Sequence, residues 1–310
     1  MSSLFIIGNG FDLAHGIKTS YEHFHQYLKA KYPDASGDEF IMPESTTMPD
    51  GEEYYDDNVV VDYLLYIISN AEASGDKWSD LENSLGFLDF DECFDDIPEL
   101  LDEDGDPDLW KNMYNVEDVA SNLIVPTKRI TKFFSDWVNT IKIKEKKAKP
   151  DFASLISKED DLFLTFNYTK TLEILYKAKN ICHIHGQQGS DLLFGHGNDT
   201  DYTEENMRKY TGSENALLEI QLALRKNTKK AIEDNIDFFN EISSSIDKIY
   251  SFGFSFSKVD EIYIEEICNK LSTGNITWYL NDFDISNHKQ YLDRIQSCGF
   301  RGQISTYHIS

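Results

Sequence analysis

Cysteine, proline and positive charge are all scarce in this chain, and no long apolar run interrupts it. The four cysteines, Cys93, Cys182, Cys268 and Cys298, lie far apart with no Cys-x-x-Cys pair. That spacing argues against a zinc ribbon and against a disulfide-stapled secreted fold. Only 7 of the 310 residues are proline, while 40% are hydrophobic and 27% charged, the balance of a globular rather than a disordered chain. The longest apolar stretch, Val59 to Ile68, is broken by Asp62 and falls short of the roughly 20 residues that span a bilayer. Met1 to Ile7 has no basic residue, and its apolar run is too short for a signal peptide, so a cytoplasmic location is expected. Lys and Arg number 29 against 55 Asp and Glu, a net charge of −26. This deficit opposes binding to a phosphate backbone or an anionic membrane; neither nucleic acid nor a membrane is an expected partner.

The charge is unevenly placed. Between Asp34 and Asp118 there are 27 acidic residues and 2 basic ones, Lys77 and Lys111, whereas the rest of the chain is close to neutral. Such a shift marks an inserted subdomain with a strongly solvated face. Asp102-Glu103-Asp104-Gly105-Asp106 lacks the spacing and terminal Glu of a calcium loop, so it is read as a solvated loop.

Both ends of the chain alternate strand and helix signals. Leu4 to Ile7, Asp161 to Phe166, Ile181 to Ile184, Leu192 to Phe194, Lys248 to Phe254, Ile276 to Leu280 and Ile304 to Ile309 are strand candidates. Helices are expected near Thr171 to Lys179 and over Asp260 to Leu271. Short apolar runs that end in Gly, Asn or His and lead into helices predict parallel α/β layers, whose ligands bind at the carboxyl edge. Val59 to Ser69, Lys77 to Leu88, Val116 to Lys146 and Asn215 to Ser243 have helical spacing instead. Pro33 to Asp57 and Glu99 to Asp108 look like loops. The expected organisation is a core from residues 1–32 plus 151–310, an acidic, mostly helical insertion over 33–150, and a second helical excursion over 201–246.

Five corners could carry chemistry. Gly8-Asn9-Gly10 follows the first strand, with Gly16-Ile17 further on; glycines let the backbone approach a ligand, and the following helix offers N–H groups to a pyrophosphate. A plain tight turn is the competing explanation. Asp12, in the first helical turn, opposes a phosphate and instead suits a helix cap or ribose hydroxyls. Asn167, in Thr165-Phe166-Asn167-Tyr168-Thr169, can both donate and accept, and so can orient a ribose or hold a water, or simply form a turn. His183 and His185, in His183-Ile184-His185-Gly186, fall on one face of a strand. With His196 they suggest a metal-dependent hydrolase, although no carboxylate or thiol lies at a diagnostic spacing. Alternatively His185 is a general base and His183 structural. Ser251 to Ser257, containing Gly253 and Ser255 ahead of Asp260, and Asn281-Asp282 are further strand-to-loop corners suited to a sugar and a base. Asp260 also suits a helix N-cap. Trp78 and Glu82, four apart, are expected on one helix face, with Glu82 either a surface carboxylate or an additional site residue.

Taken together, Leu4 to Gly16 with Thr19-Ser20-Tyr21, Trp78 to Glu82, Phe166 to Thr169, His183 to Gly186 and Ser251 to Ser255 resemble the abortive infection AbiH family of antiphage proteins. A more distant likeness is to sirtuin-like NAD-binding and NAD-cleaving domains. Gly8, Gly10, Gly16 and Ile17 match the spacing of their first loop, Thr165 and Asn167 their catalytic Asn stretch, and His185-Gly186 their catalytic His. Gly253, Ser255 and Asn281 resemble their late loop and Asn corner. Asn9, Asp12 and Thr169 depart from that pattern, where those domains carry Ala, Ser and Asp.

The resemblance implies a Rossmann-like, sirtuin-like parallel α/β sheet with a large acidic helical insertion. It further implies cleavage of the nicotinamide–ribose bond of NAD or a related nucleotide, with Asn167 and His185 catalytic and Gly8, Asn9, Gly10, Asp12, Gly253, Ser255 and Asn281 binding the nucleotide. Glu82, His183 and His196 are additional candidates, and no metal is expected. A non-catalytic nucleotide sensor is the alternative. The expected partner is the small nucleotide itself, and a homo-oligomer is compatible with it.

Overall fold

Leu4, Phe5, Ile6 and Ile7 are all fully buried, as a strand covered on both faces requires. In the computed structural model, which describes residues 2–72, 78–243 and 245–309, this run belongs to β1 (Ser2–Ile7). The other strands of its sheet are β2 (Leu162–Thr165), β3 (Ile181–His183), β4 (Ile246–Phe252), β5 (Thr277–Asn281) and β6 (Gln303–Tyr307). All pair in parallel, in the order β3-β2-β1-β4-β5-β6. This is the Rossmann-like strand order, and the chain reverses direction between β1 and β4. In folds with this strand order the loops flanking such a switch point commonly diverge and leave room for a ligand.

Period-two alternation sorts the β1 side chains to the two faces. Leu4 and Ile6 join Leu164, Ile249, Trp278 and the buried side of helix Glu261–Lys270. Phe5 and Ile7 join Phe11, Phe152, Phe163 and Phe252. On this second face parallel register aligns an aromatic ladder: Phe163 on Phe5 (5.1 Å), Phe5 on Tyr250 (5.0 Å) and Tyr250 on Tyr279 (4.7 Å), each stacked. Stacked pairs of this kind add about 0.5–1.5 kcal/mol each beyond their buried area.

The chain divides into two compact units. The sheet lies in the first, formed by Met1–Ser20, Val138–Leu193 and Asn227–Ser310. The second, Tyr21–Trp137 and Phe194–Lys226, is mostly helical and contains the whole acidic segment; Lys77 lies outside the described residues. Within it, Ala120, Leu123, Thr127, Ile130, Phe134 and Trp137 recur every three or four residues along helix Leu109–Thr140 and are buried, the spacing of a core-facing stripe. Tyr63 of helix Asp57–Ala71 meets Thr127 in that stripe at 3.0 Å. No helix among the described residues is long and apolar enough to cross a membrane.

Several local expectations change. Leu192 to Phe194 is not a strand; the Leu193 N–H donates to His185 O, while Phe194 stacks on Phe134 at 4.0 Å. The helix expected over Lys77 to Leu88 shrinks to Leu81–Ser84, because Trp78, fully buried, has φ of 51°. Trp78 and Glu82 therefore do not share a helix face. Thr171 to Lys179 contains a π-turn, Leu172–Tyr176, stopped by left-handed Lys177. Asn215 to Ser243 breaks into Glu214–Ala223, Thr228–Asp234 and Ile236–Glu241. Pro33 to Asp57 includes a short ladder between Thr46–Thr47 and Glu53–Tyr54.

At the switch point the turns after β1 and β4 touch backbone to backbone. Gly8 N–H donates to Phe252 O at 3.0 Å and Gly10 N–H to Gly253 O at 2.9 Å. A Cβ on Gly10 would stand 2.6 Å from Gly253 Cα, and Gly253 itself has φ of 64°. Both sides of the contact are rigid main chain, so neither can yield cheaply. Gly253→Ala should therefore lose about 2–5 kcal/mol of stability, from left-handed strain and overpacking together, read as a lowered urea midpoint.

Candidate functional site

Because the strands are parallel, the loops after β1, β2, β3, β4 and β5 all leave from one edge of the sheet. Gly8, Asn9, Gly10, Asp12, Asn167, His185, Gly253, Ser255 and Asn281 all belong to those loops, to strand ends or to the helix that starts from the first loop. They differ in what they do there. Gly8 and Gly10 are spent on packing against the β4 turn, while Asn9 is exposed and opens the short helix Asn9–Ala14. Phe11 of that helix and His15 at its C-cap are structural. His15 Nδ1 lies 2.6 Å from Phe11 O and Nε2 2.5 Å from the Tyr176 hydroxyl, and burial lowers the pKa of the ring.

Asp12 is the unusual member. It is wholly buried, its Oδ2 accepts a 2.5 Å hydrogen bond from Thr169 Oγ1, and Thr169 is linked in turn to Thr171 Oγ1 at 2.9 Å. Burial raises its carboxyl to about 6, even though Thr169, Thr171, Asn167 and His183 all favour the ionised form. Oδ1 has no hydrogen-bond partner among the described residues. The Asn167 amide is close enough to act on the carboxylate, yet neither Nδ2 nor Oδ1 reaches a partner in good geometry. Since a hydrogen bond weakens steeply off-line, the two groups are neighbours that do not bond well. The Asn167 backbone, by contrast, is held: its N–H meets Thr165 Oγ1 at 3.2 Å, and its carbonyl faces His183 Nδ1 at 3.0 Å.

His185 is 3% exposed and packed edge-on against Phe166 (5.2 Å) and Tyr263 (5.8 Å). Its Nε2 stands 3.5 Å from Asp260 Oδ1, while Asp260 Oδ2 accepts from Ser257 Oγ at 2.7 Å. Phe166, which precedes Asn167 in the chain, also packs on Phe254 at 4.3 Å. The β2, β3 and β4 loops thus share one small aromatic cluster. Ser255 is exposed. Asn281 is buried, and its Oδ1 caps the following turn through Phe283 N–H at 3.1 Å.

The sequence model of a family described as bacteriophage abortive infection AbiH matches residues 4–282. The chain belongs to the AbiH family. Membership supports an antiphage abortive-infection role. No curated protein and no solved structure matches the chain. The matched span runs from β1 through β5 and includes every corner described above.

In this AbiH protein each remaining candidate has polar partners of its own. Glu82 and His196 lie in the second unit. Glu82 forms an ion pair with Lys226, whose Nζ lies 2.8 Å from both carboxylate oxygens and whose side chain is 1% exposed. His196 Nε2 faces Gln221 O at 3.0 Å and its Nδ1 accepts from Asn198 N–H at 3.1 Å, with its pKa lowered by burial. His183 has a carbonyl on one ring nitrogen and Glu173 on the other. Among the described residues no group of three or more His, Cys, Asp or Glu is gathered to hold a metal ion.

Sequence reasoning passed over Thr171, Glu173 and Tyr263 and left Asp260 ambiguous. Glu173 and Tyr263 stand outside the motifs, in segments read only as helix, and Asp260 and Tyr263 meet His185 only across loops far apart in the chain.

A carboxyl whose pKa rises on folding gives up its proton later in the native state than in the unfolded chain. Its contribution is fully present below about pH 4 and is lost as pH climbs through about 6. Asp12→Asn should therefore add on the order of 3 kcal/mol at pH 7 to 8 and little at pH 4, measured as urea midpoints across that range.

Proposed function

We propose that this AbiH protein is a nucleotide-binding effector that cleaves the nicotinamide–ribose bond of NAD or a related nucleotide. The observation that carries the reading is the pair formed by Asp12 Oδ1 and the Asn167 amide, buried at the carboxyl edge of the sheet without good partners. Each such group left unsatisfied costs about 1–3 kcal/mol, a cost that a ligand would offset. A hydroxyl both donates and accepts, so a ribose hydroxyl or a water between the two would serve carboxylate and amide at once.

Further support comes from the two positions that depart from the sirtuin-like pattern. Asp12 and Thr169 hydrogen-bond to each other, so a carboxylate–hydroxyl pair is retained with its members exchanged between the two loops. In this reading Asn167 orients the ribose and the attacking water, and His185 takes the proton from that water. Asp260, beside His185 Nε2, stabilises the ring as it gains charge. Departure of nicotinamide leaves an oxocarbenium-like ribose, which the Asp12 carboxylate and the fixed dipoles of the Asn167 loop stabilise without reorganising. The Gly8-Asn9-Gly10 turn with Gly253, Ser255 and Asn281 flanks the remainder of the nucleotide.

The exchanged Asp12–Thr169 pair also suits a non-catalytic sensor that binds the same nucleotide. Purified protein incubated with NAD distinguishes the two. Turnover should release nicotinamide, and His185→Ala or Asn167→Ala should each lower the rate by about 10²–10⁴-fold while the fold is kept. Ligand-dependent thermal stabilisation with no released nicotinamide would identify the sensor; unchanged rates in both variants would remove the assigned roles.

A further inference from the structure

Glu173 and His183 have no part in the chemistry above, yet they are joined to its centre. Glu173 lies in the π-turn Leu172–Tyr176, directly after the loop that carries Asn167, Thr169 and Thr171. Its Oε1 is 2.8 Å from His183 Nε2, and His183 Nδ1 is 3.0 Å from Asn167 O. A carbonyl and a carboxylate both accept, so the ring can donate through either nitrogen, to Asn167 O or to Glu173. The side chain of His183 is 9% exposed and that of Glu173 32%, which leaves the ring enclosed and the carboxylate at the rim. π-helical turns are rare and frequently sit at functional sites. This one supplies the residue that grips the ring.

Resting on the reading of Asn167 as the group that orients ribose and water, we infer that Glu173 and His183 are its positioning residues. Glu173 fixes the His183 ring, and the ring fixes the Asn167 peptide, from which the amide projects toward Asp12. Neither residue is required to touch the nucleotide. A plain surface ion pair would not act this way, because its loss would leave the Asn167 loop where it is.

The test compares Glu173→Ala with Glu173→Gln, whose amide oxygen still accepts from the ring. Hydrogen–deuterium exchange of residues 166–171 is followed in the ligand-free protein, alongside nicotinamide release from NAD. Glu173→Ala should speed exchange in that loop about tenfold or more. It should also lower kcat about 10²-fold, the scale of an ångström of misplacement, with KM little changed. Glu173→Gln should stay close to wild type in both. Should Glu173→Ala fail to fold, Glu173→Asp, one methylene short of the ring, carries the same expectation. Wild-type exchange in the shortened variants, or a Glu173→Gln as impaired as Glu173→Ala, would overturn the positioning role. A wild-type protein that releases no nicotinamide overturns the functional reading instead, and the exchange measurement separates the two failures.

Discussion

The contact among Gly8, Gly10 and Gly253 is the constraint on which the rest of the sheet edge depends. In most doubly wound sheets the loops on either side of the switch point part company and leave a crevice. Here the turns after β1 and β4 are joined by main-chain hydrogen bonds, at a distance no side chain would permit. Helix Asn9–Ala14 starts from that seam, and its first turn delivers Asp12 into the interior beneath the β2 loop. Glycine is therefore required for the approach of two backbones, and the burial of a carboxylate follows from it.

A buried carboxylate needs a rigid frame, because relaxation would let water reach it. The frame consists of the aromatic ladder from Phe163 to Tyr279 on one face and the cluster of Phe166, Phe254, Tyr263 and His185 at the loops. Much of the stability of this AbiH unit is invested around groups that are themselves destabilising. Unsatisfied polar atoms held in so well-packed a setting are expected at functional sites, where natural proteins depart from the rule of satisfied burial.

The sheet was legible in the sequence because strands buried on both faces leave unbroken apolar runs, as in Leu4 to Ile7 and Asp161 to Phe166. The edge residues were legible as well, since Gly, Asn and His at the ends of such runs stand out. What misled was apolar content without periodicity: Leu192 to Phe194 is apolar because Phe194 stacks on Phe134, not because it extends a sheet. Trp78 adopts a left-handed backbone that helix spacing cannot signal. The Asp12–Thr169 contact spans 157 residues and the His185–Asp260 contact 75. No local pattern encodes such pairings; only the strand order brings them together.

That strand order also bears on what kind of ligand the edge can take. A phosphate cradle needs free amides at a helix start. In this chain the Gly8 and Gly10 amides are committed to Phe252 and Gly253, and Asp12 places a carboxyl close behind them. A nucleotide bound there, as proposed, would be met by side chains: a carboxyl, an amide and hydroxyls, which read the polar edges of a sugar better than the charge of a phosphate. The departures at Asn9, Asp12 and Thr169 are thus mutually consistent. Under the proposed function they would move the weight of recognition from the phosphates of a nucleotide to its ribose, where the proposed bond breaks.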